Sequence, residues 1–296
     1  MDNISVQQPQ NAGVLINPNF PLLESGATMH LGVKAGDVAN RILSVGDAGR
    51  AERIARLFDS PESTKIVKSE RMFTTYTGTY KGVPISIIVT GMGIAMMDFV
   101  VRESTFYVQG NVAMIRLGTT GLLKPSWPAG TIVVAKQARF VQQNYDYCPS
   151  NSNDEPYRLT NPVDADASLK DLLYSKLSSK LSNEKVREGV NITTETFYAA
   201  QGRAGDLFED YNERLIQFVE ENESEASNFE METFKLLQLA DKSKGKIKAA
   251  ACAIGLINRA TGETLPYQSL HELEVVSSEA ILSTLAEFSL DNPISN

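Results

Sequence analysis

Arg41-Ile-Leu-Ser-Val45 runs straight into Gly46-Asp47-Ala48-Gly49-Arg50, and this junction decides the fold class. The first five residues form a short apolar run of strand length. Glycine and aspartate then break it, and a helical pattern follows through Leu57. The same alternation recurs downstream. Met72–Tyr80 and Ile85–Thr90, rich in β-branched and aromatic residues, read as a hairpin across Lys81-Gly82-Val83-Pro84. Ala95–Gln109 reads as a helix, and Ala113–Leu117 as a buried strand ending in Gly118-Thr119-Thr120-Gly121. Thr131–Ala135 is a further strand. Ala167–Leu181 carries leucines at 169, 172, 173, 177 and 181, an amphipathic helix before the strand Val186–Thr194. Lys246–Asn258 is a long strand and Leu270–Phe288 a closing helix.

Strands alternating with helices predict an α/β fold: a single domain with a central mixed twisted sheet flanked by helices. No change of composition divides the middle of the chain, so residues 29–296 read as one domain behind a flexible N-terminal arm at 1–28. Six glutamates fall between 220 and 232. The first four, among Asn and Ser, read as a solvated loop, whereas Glu230 and Glu232 stand at the entrance to a helix over Met231–Ala240.

The chain has 296 residues, 42% hydrophobic and 22% charged, with a net charge of -8, which argues against a nucleic-acid surface. An anionic ligand must then be met by a few placed arginines. Two cysteines and two histidines make neither a disulfide framework nor a zinc site, and no metal is expected. Met1–Gly13 is polar and lacks a signal-peptide pattern, and the apolar stretch Val83–Met97 is too short and broken to span a bilayer. A cytoplasmic protein with no membrane partner is expected.

Four segments carry chemistry. Gly46 and Arg50 lie at a strand-to-helix turn, where backbone N–H groups and a guanidinium meet oxyanions. Arg116 sits inside an apolar strand, which calls for either a buried carboxylate partner or a ligand at the strand's C-terminal end beside Thr119. Glu230-Met231-Glu232 offers carboxylates to sugar hydroxyls, or simply acidic residues to a helix start. Phe197, Gln201 and Arg203 combine an aromatic face, an amide and a rigid fork of donors, a set that matches the polar edge of a uracil ring or an ordinary polar turn.

Together these segments resemble the nucleoside phosphorylases, and within them the uridine phosphorylases. The resemblance runs from about residue 30 to residue 260 through His30-Leu-Gly32, Gly46-Asp47 to Arg50, Arg71, Gly91-Met-Gly-Ile94 and Arg116 to Gly121. It continues through Phe197 to Arg203, Glu230-Met-Glu232 and Asn258-Arg259. It implies reversible phosphorolysis of uridine to uracil and ribose 1-phosphate, with phosphate as co-substrate and no cofactor. Phosphate would meet Gly46, Arg50, Arg116 and Thr119, with Arg71 from a neighbouring subunit. Ribose would meet Met231 and Glu232, with His30 from that neighbour. Uracil would lie near Thr120, Gly121 and Phe197, read by Gln201 and Arg203, with Arg259 nearby. Arg116, Gln201, Arg203 and Glu232 are the implied catalytic set, and a homodimer or higher homo-oligomer the implied assembly. A purine nucleoside phosphorylase, a hydrolytic nucleosidase and a silent nucleoside-binding relative are the rival readings. The sequence departs from the family at Ala95-Met-Met-Asp98, on the expected phosphate side, and at Met72, where bacterial relatives bind potassium through a glutamate. No monovalent-ion site is expected here.

Overall fold

The hydrophobic pattern of the central strands has period two, and each phase of it is covered by different helices. The computed structural model describes residues 17, 19–151 and 154–290. In strand β1 (Arg41–Val45), Leu43 and Val45 face one layer and Ile42 the other. Strand β5 (Val112–Leu122) splits in the same way, with Ala113, Ile115 and Leu117 on the first side and Val112 and Met114 on the second. Helices α1 (Ala48–Ala55), α3 (Ala167–Leu181) and α6 (Tyr267–Glu287) cover the first side. Helices α2 (Ile94–Phe106) and α5 (Thr233–Lys242) cover the second. A sheet buried on both faces is what the near-continuous apolar strands require.

The remaining strands are β2 (Lys65–Lys68), β3 (Thr74–Tyr80), β4 (Val83–Val89), β6 (Ile132–Gln143), β7 (Tyr157–Leu159), β8 (Val163–Asp164), β9 (Val186–Thr194), β10 (Ala226–Glu230) and β11 (Ile247–Asn258). Helix α4 spans Leu215–Asn222. Among the described residues they form one mixed, 11-stranded sheet in the order β10-β9-β6-β11-β5-β1-β4-β3-β2, with β7 and β8 on β6. β1, β4, β5 and β11 run parallel to one another. β10 pairs in parallel with β9 and antiparallel with β5, through Asn228–Leu122 and Phe229–Gly121. That second pairing closes β5, β11, β6, β9 and β10 into a ring and brings Glu230 beside the end of β5.

The hairpin joining β3 and β4 turns on Lys81 and Gly82, both at positive φ, with Asp59 accepting hydrogen bonds from their backbone N–H groups at 2.8 Å each. Two successive left-handed residues give the tight turn that matches strand twist, and glycine takes that conformation without strain.

The sequence reading needs correction around 220–230. Glu220 and Glu221 belong to α4 rather than to a loop, and Ala226–Glu230 is a fully buried strand. Its polar side chains hid it. Ser227 Oγ donates to the Val190 carbonyl at 2.9 Å, and Asn228 Nδ2 donates to Thr120 Oγ1 at 2.9 Å, so polarity here is paired rather than solvated. Of the expected arm, residues 1–16 and 18 lie outside the described residues. Farther along it, Phe20 stacks on Phe106 with centroids 4.1 Å apart, and Leu22 bridges Thr28. Among the described residues, no helix is long and apolar enough to cross a membrane.

Candidate active site

The C-terminal ends of β1 and β5, the end of β10 and the loop after β9 open onto one cavity of about 520 Å³. Eleven of the fourteen residues assigned a binding or catalytic role from sequence line it. Gly46, Arg50, Arg116 and Thr119 form one side, Met231 and Glu232 the middle, and Thr120, Gly121, Phe197, Gln201 and Arg203 the other side.

Arg50 is placed by local chemistry at the start of α1. Asp47 Oδ1 accepts from the Arg50 backbone N–H at 2.6 Å and caps the helix. The Arg50 side chain is buried, with Nε donating to Glu274 Oε1 at 2.7 Å and a long NH1 contact of 3.4 Å to the Leu117 carbonyl.

Arg116 shares the sheet face of Met114, where Gly118 two residues on provides space for its guanidinium. It is buried and pairs with two carboxylates, NH2 with Glu232 Oε2 and NH1 with Glu230 Oε2 at 3.3 Å. Glu230 is also held by Thr193 Oγ1 at 2.6 Å and by the backbone N–H groups of Glu232 and Thr233, at 2.9 and 3.0 Å. The carboxylate alternative for Arg116 therefore holds, and the ion-paired guanidinium also lines the cavity. Among the described residues its buried NH1 makes no hydrogen bond, only the 3.3 Å ion-pair approach to Glu230. Burial acts to depress its pKa, but the charges of Glu232 and Glu230 outweigh it and the guanidinium stays charged. Burial is also what lifts Glu232 above the ordinary carboxylate range. Arg116 opposes that shift, Glu230 adds to it, and a hydrogen bond of 2.5 Å from Gly93 N–H opposes it.

On the far side, a single helical turn at Ala199–Gln201, ended by Gly202, sets the positions of Gln201 and Arg203. Gln201 Nε2 donates to Thr194 Oγ1 at 3.1 Å, and its Oε1 lies 3.4 Å from Arg203 NH2. Arg203 lies over Phe197, with Cζ 4.1 Å from the ring centroid, and donates from Nε to the Phe197 carbonyl at 3.1 Å. Phe197 therefore offers one ring face to Arg203. Burial lowers the Arg203 pKa. Thr120 Oγ1 donates to the Phe229 carbonyl at 2.5 Å, so its hydroxyl ties β5 to β10.

Three sequence-selected residues lie off the cavity lining. Arg259 packs its stem over Gly121 and donates to the Gly202 carbonyl at 3.3 Å, while its buried NH1 has no hydrogen-bond partner among the described residues. His30 stacks on Phe99 with centroids 3.9 Å apart, and its Nδ1 lies 2.5 Å from Glu103 Oε1. Arg71 is exposed. The divergent Ala95–Asp98 stretch is also off the lining: Met97 is buried in the core, and Asp98 pairs with Arg102 at 2.9 Å. Among the described residues, no cluster of three or more His, Cys, Asp or Glu is arranged to hold a metal ion.

A model of the phosphorylase superfamily matches residues 40–288, a span that contains every element described above from β1 to α6. The chain belongs to the phosphorylase superfamily. Relatives within that superfamily include a uridine phosphorylase of Thermococcus kodakarensis, 30% identical over 275 residues that cover 92% of each chain. A uridine phosphorylase of Haemophilus influenzae is 26% identical, covering 87% of this chain and 96% of the relative. A solved structure from work on two diverse uridine phosphorylases of the oomycete Phytophthora capsici superposes with a TM-score of 0.90. It shares 36% identity and covers 94% of this chain and all of that one.

Behind the cavity lining lies a residue that the motifs did not reveal. Glu274 is buried on α6, 224 positions from Arg50, and holds both Arg50 and Arg53. A signal was present: Leu270, Leu273, Glu274, Ser277 and Ile281 form the inward stripe of the closing helix. A lone carboxylate on such a stripe implies a distant cation.

Proposed function

We propose that the chain is a uridine phosphorylase, a pentosyltransferase that reversibly converts uridine and phosphate to uracil and ribose 1-phosphate. The observation that carries this reading is the meeting of Gln201 and Arg203 with Arg50, Arg116 and Thr119 in one cavity, with Glu232 between them. Phosphate occupies the arginine side. Glu232 accepts hydrogen bonds from the ribose hydroxyls and Met231 packs on the sugar. Gln201 and Arg203 meet the polar edge of uracil.

Cleavage of the N-glycosidic bond builds positive charge on the ribose and negative charge on the departing base. Phosphate held by Arg50 and Arg116 balances the oxocarbenium-like ribose as it approaches the anomeric carbon. Gln201 and Arg203 donate to the base as its negative charge grows, an interaction stronger in the transition state than before it. Thr194 fixes the Gln201 amide in advance, so little reorganisation accompanies the reaction. A base leaving as a hydrogen-bonded anion requires no general acid.

His30 and Arg71 complete the site of a neighbouring subunit in this reading, which makes a homodimer the smallest active unit. Their absence from the lining of their own cavity supports that sharing. The enzyme acts in the cytoplasm, in pyrimidine salvage and nucleoside catabolism. Against the purine branch stands Asn258, which donates to the Lys124 and Trp127 carbonyls at 2.9 and 2.8 Å and accepts from two backbone N–H groups. Its amide is fully used in a turn. Turnover of uridine and adenosine at saturating phosphate tests the assignment. Uridine is expected to be cleaved, and cleavage of adenosine alone would overturn the pyrimidine reading.

A further inference from the structure

Arg50 reaches the cavity through a buried charge network that the cavity lining does not include. Glu274 spends one carboxylate oxygen on Arg50 Nε at 2.7 Å and the other on Arg53 NH2 at 2.6 Å. Glu274 and the Arg50 side chain are both nearly inaccessible. Arg53 is about one-third exposed and approaches Asp47 at 4.0 Å. With Nε on Glu274 and NH1 on the Leu117 carbonyl, Arg50 NH2 has no protein acceptor among the described residues.

A guanidinium has a rigid planar fork, so fixing the direction of Nε–H fixes the opposite edge as well. Arginine otherwise loses much rotamer freedom when a ligand immobilises it. We infer that Glu274 is the positioning residue for Arg50: from the far helix it locks the guanidinium edge that meets the phosphate before phosphate arrives. This rests on the phosphorolytic reading above. Glu274 touches no substrate, and its effect passes through Arg50 alone. Arg53 neutralises the second carboxylate oxygen, so the triad keeps one net positive charge beside the cavity.

The test is a double-mutant cycle on the full-length protein, reading kcat/KM for phosphate and KM for uridine. Glu274→Ala is expected to lower kcat/KM for phosphate by about tenfold or more while moving the uridine KM by no more than about twofold. Glu274→Gln keeps an acceptor for Arg50 Nε but loses the charge, and falls between the two. In an Arg50→Met background, Glu274→Ala is expected to add less than about a twofold loss, because its route is already cut. A folded Glu274→Ala protein with wild-type phosphate kinetics overturns the proposal, as does an equal loss in both backgrounds. If the alanine variant fails to fold, Glu274→Gln carries the same cycle. Calorimetric titration with inorganic phosphate separates the two levels. A wild type that binds phosphate without cleaving uridine overturns the proposed function, and the phosphate affinity of the Glu274 variants still decides the positioning role. A wild type that binds no phosphate overturns both.

Discussion

Gly118 provides the space in which Arg116 folds: a β-carbon at position 118 would lie 2.8 Å from Arg116 Cζ and closer still to NH1. Arg116 can then bend along its own strand toward Glu230 and Glu232 instead of extending into the α2–α5 layer. Gly118→Ala is expected to cost about 1–3 kcal/mol of stability through overpacking. It should also lower phosphate-dependent turnover more than the stability loss accounts for. Thermal unfolding measured beside steady-state kinetics checks both parts.

Gln201 is expected to carry discrimination for the pyrimidine edge. Gln201→Leu removes a buried amide held by Thr194 and is expected to lower kcat/KM for uridine by two to three orders of magnitude, on the order of 10²–10³. The circular dichroism spectrum should be unchanged. Unaltered uridine turnover in the folded variant would remove Gln201 from the base site.

Glu232 couples activity to pH and stability. Burial and the neighbouring Glu230 hold its pKa above 4.5, so its ionisation is costly in the folded state. The sign follows: the protonated form is favoured by folding, and this contribution is complete below about pH 4.5 and lost as pH rises through the raised pKa. Glu232→Gln is expected to match wild-type stability at the acid end and to exceed it above the raised pKa, because Glu230 still balances Arg116. Turnover should fall in the same variant. Melting temperatures of the two proteins across that pH range supply the test, and a constant difference would contradict it.

Much of this organisation could be read from the chain. β1, β9 and α3 have the bounds that apolar periodicity gives them, with Gly46-Asp47 ending β1 and Asp166 starting α3. Polar atoms buried in pairs hid the rest. β10 reads Ala-Ser-Asn-Phe-Glu, yet every one of those residues is inaccessible. β5 runs on through Gly118-Thr119-Thr120-Gly121 because β11 pairs with it along that length and Phe229 of β10 joins at Gly121. Arg116, Gln201 and Arg203 stood out because each motif is contiguous. Glu274 did not, since its meaning depends on an arginine more than two hundred residues away.

The two cysteines should behave in opposite ways. Cys252 is buried in β11 and burial pushes its thiol up to about 12, whereas exposed Cys148 is drawn down by its hydrogen bond with Ser150. A thiol reagent on native protein is expected to modify Cys148 alone, and denaturant should release Cys252. Reaction of Cys252 in the native state would show that the β5–β11 layer opens readily.

The most direct test of the central claim is release of uracil from uridine by the purified protein, with and without inorganic phosphate, with ribose 1-phosphate followed alongside. A single cavity that holds Arg50 and Arg116 opposite Gln201 and Arg203 predicts uracil and ribose 1-phosphate in equal amounts, and only when phosphate is present. Uracil released at the same rate without phosphate, with free ribose as the product, would contradict it.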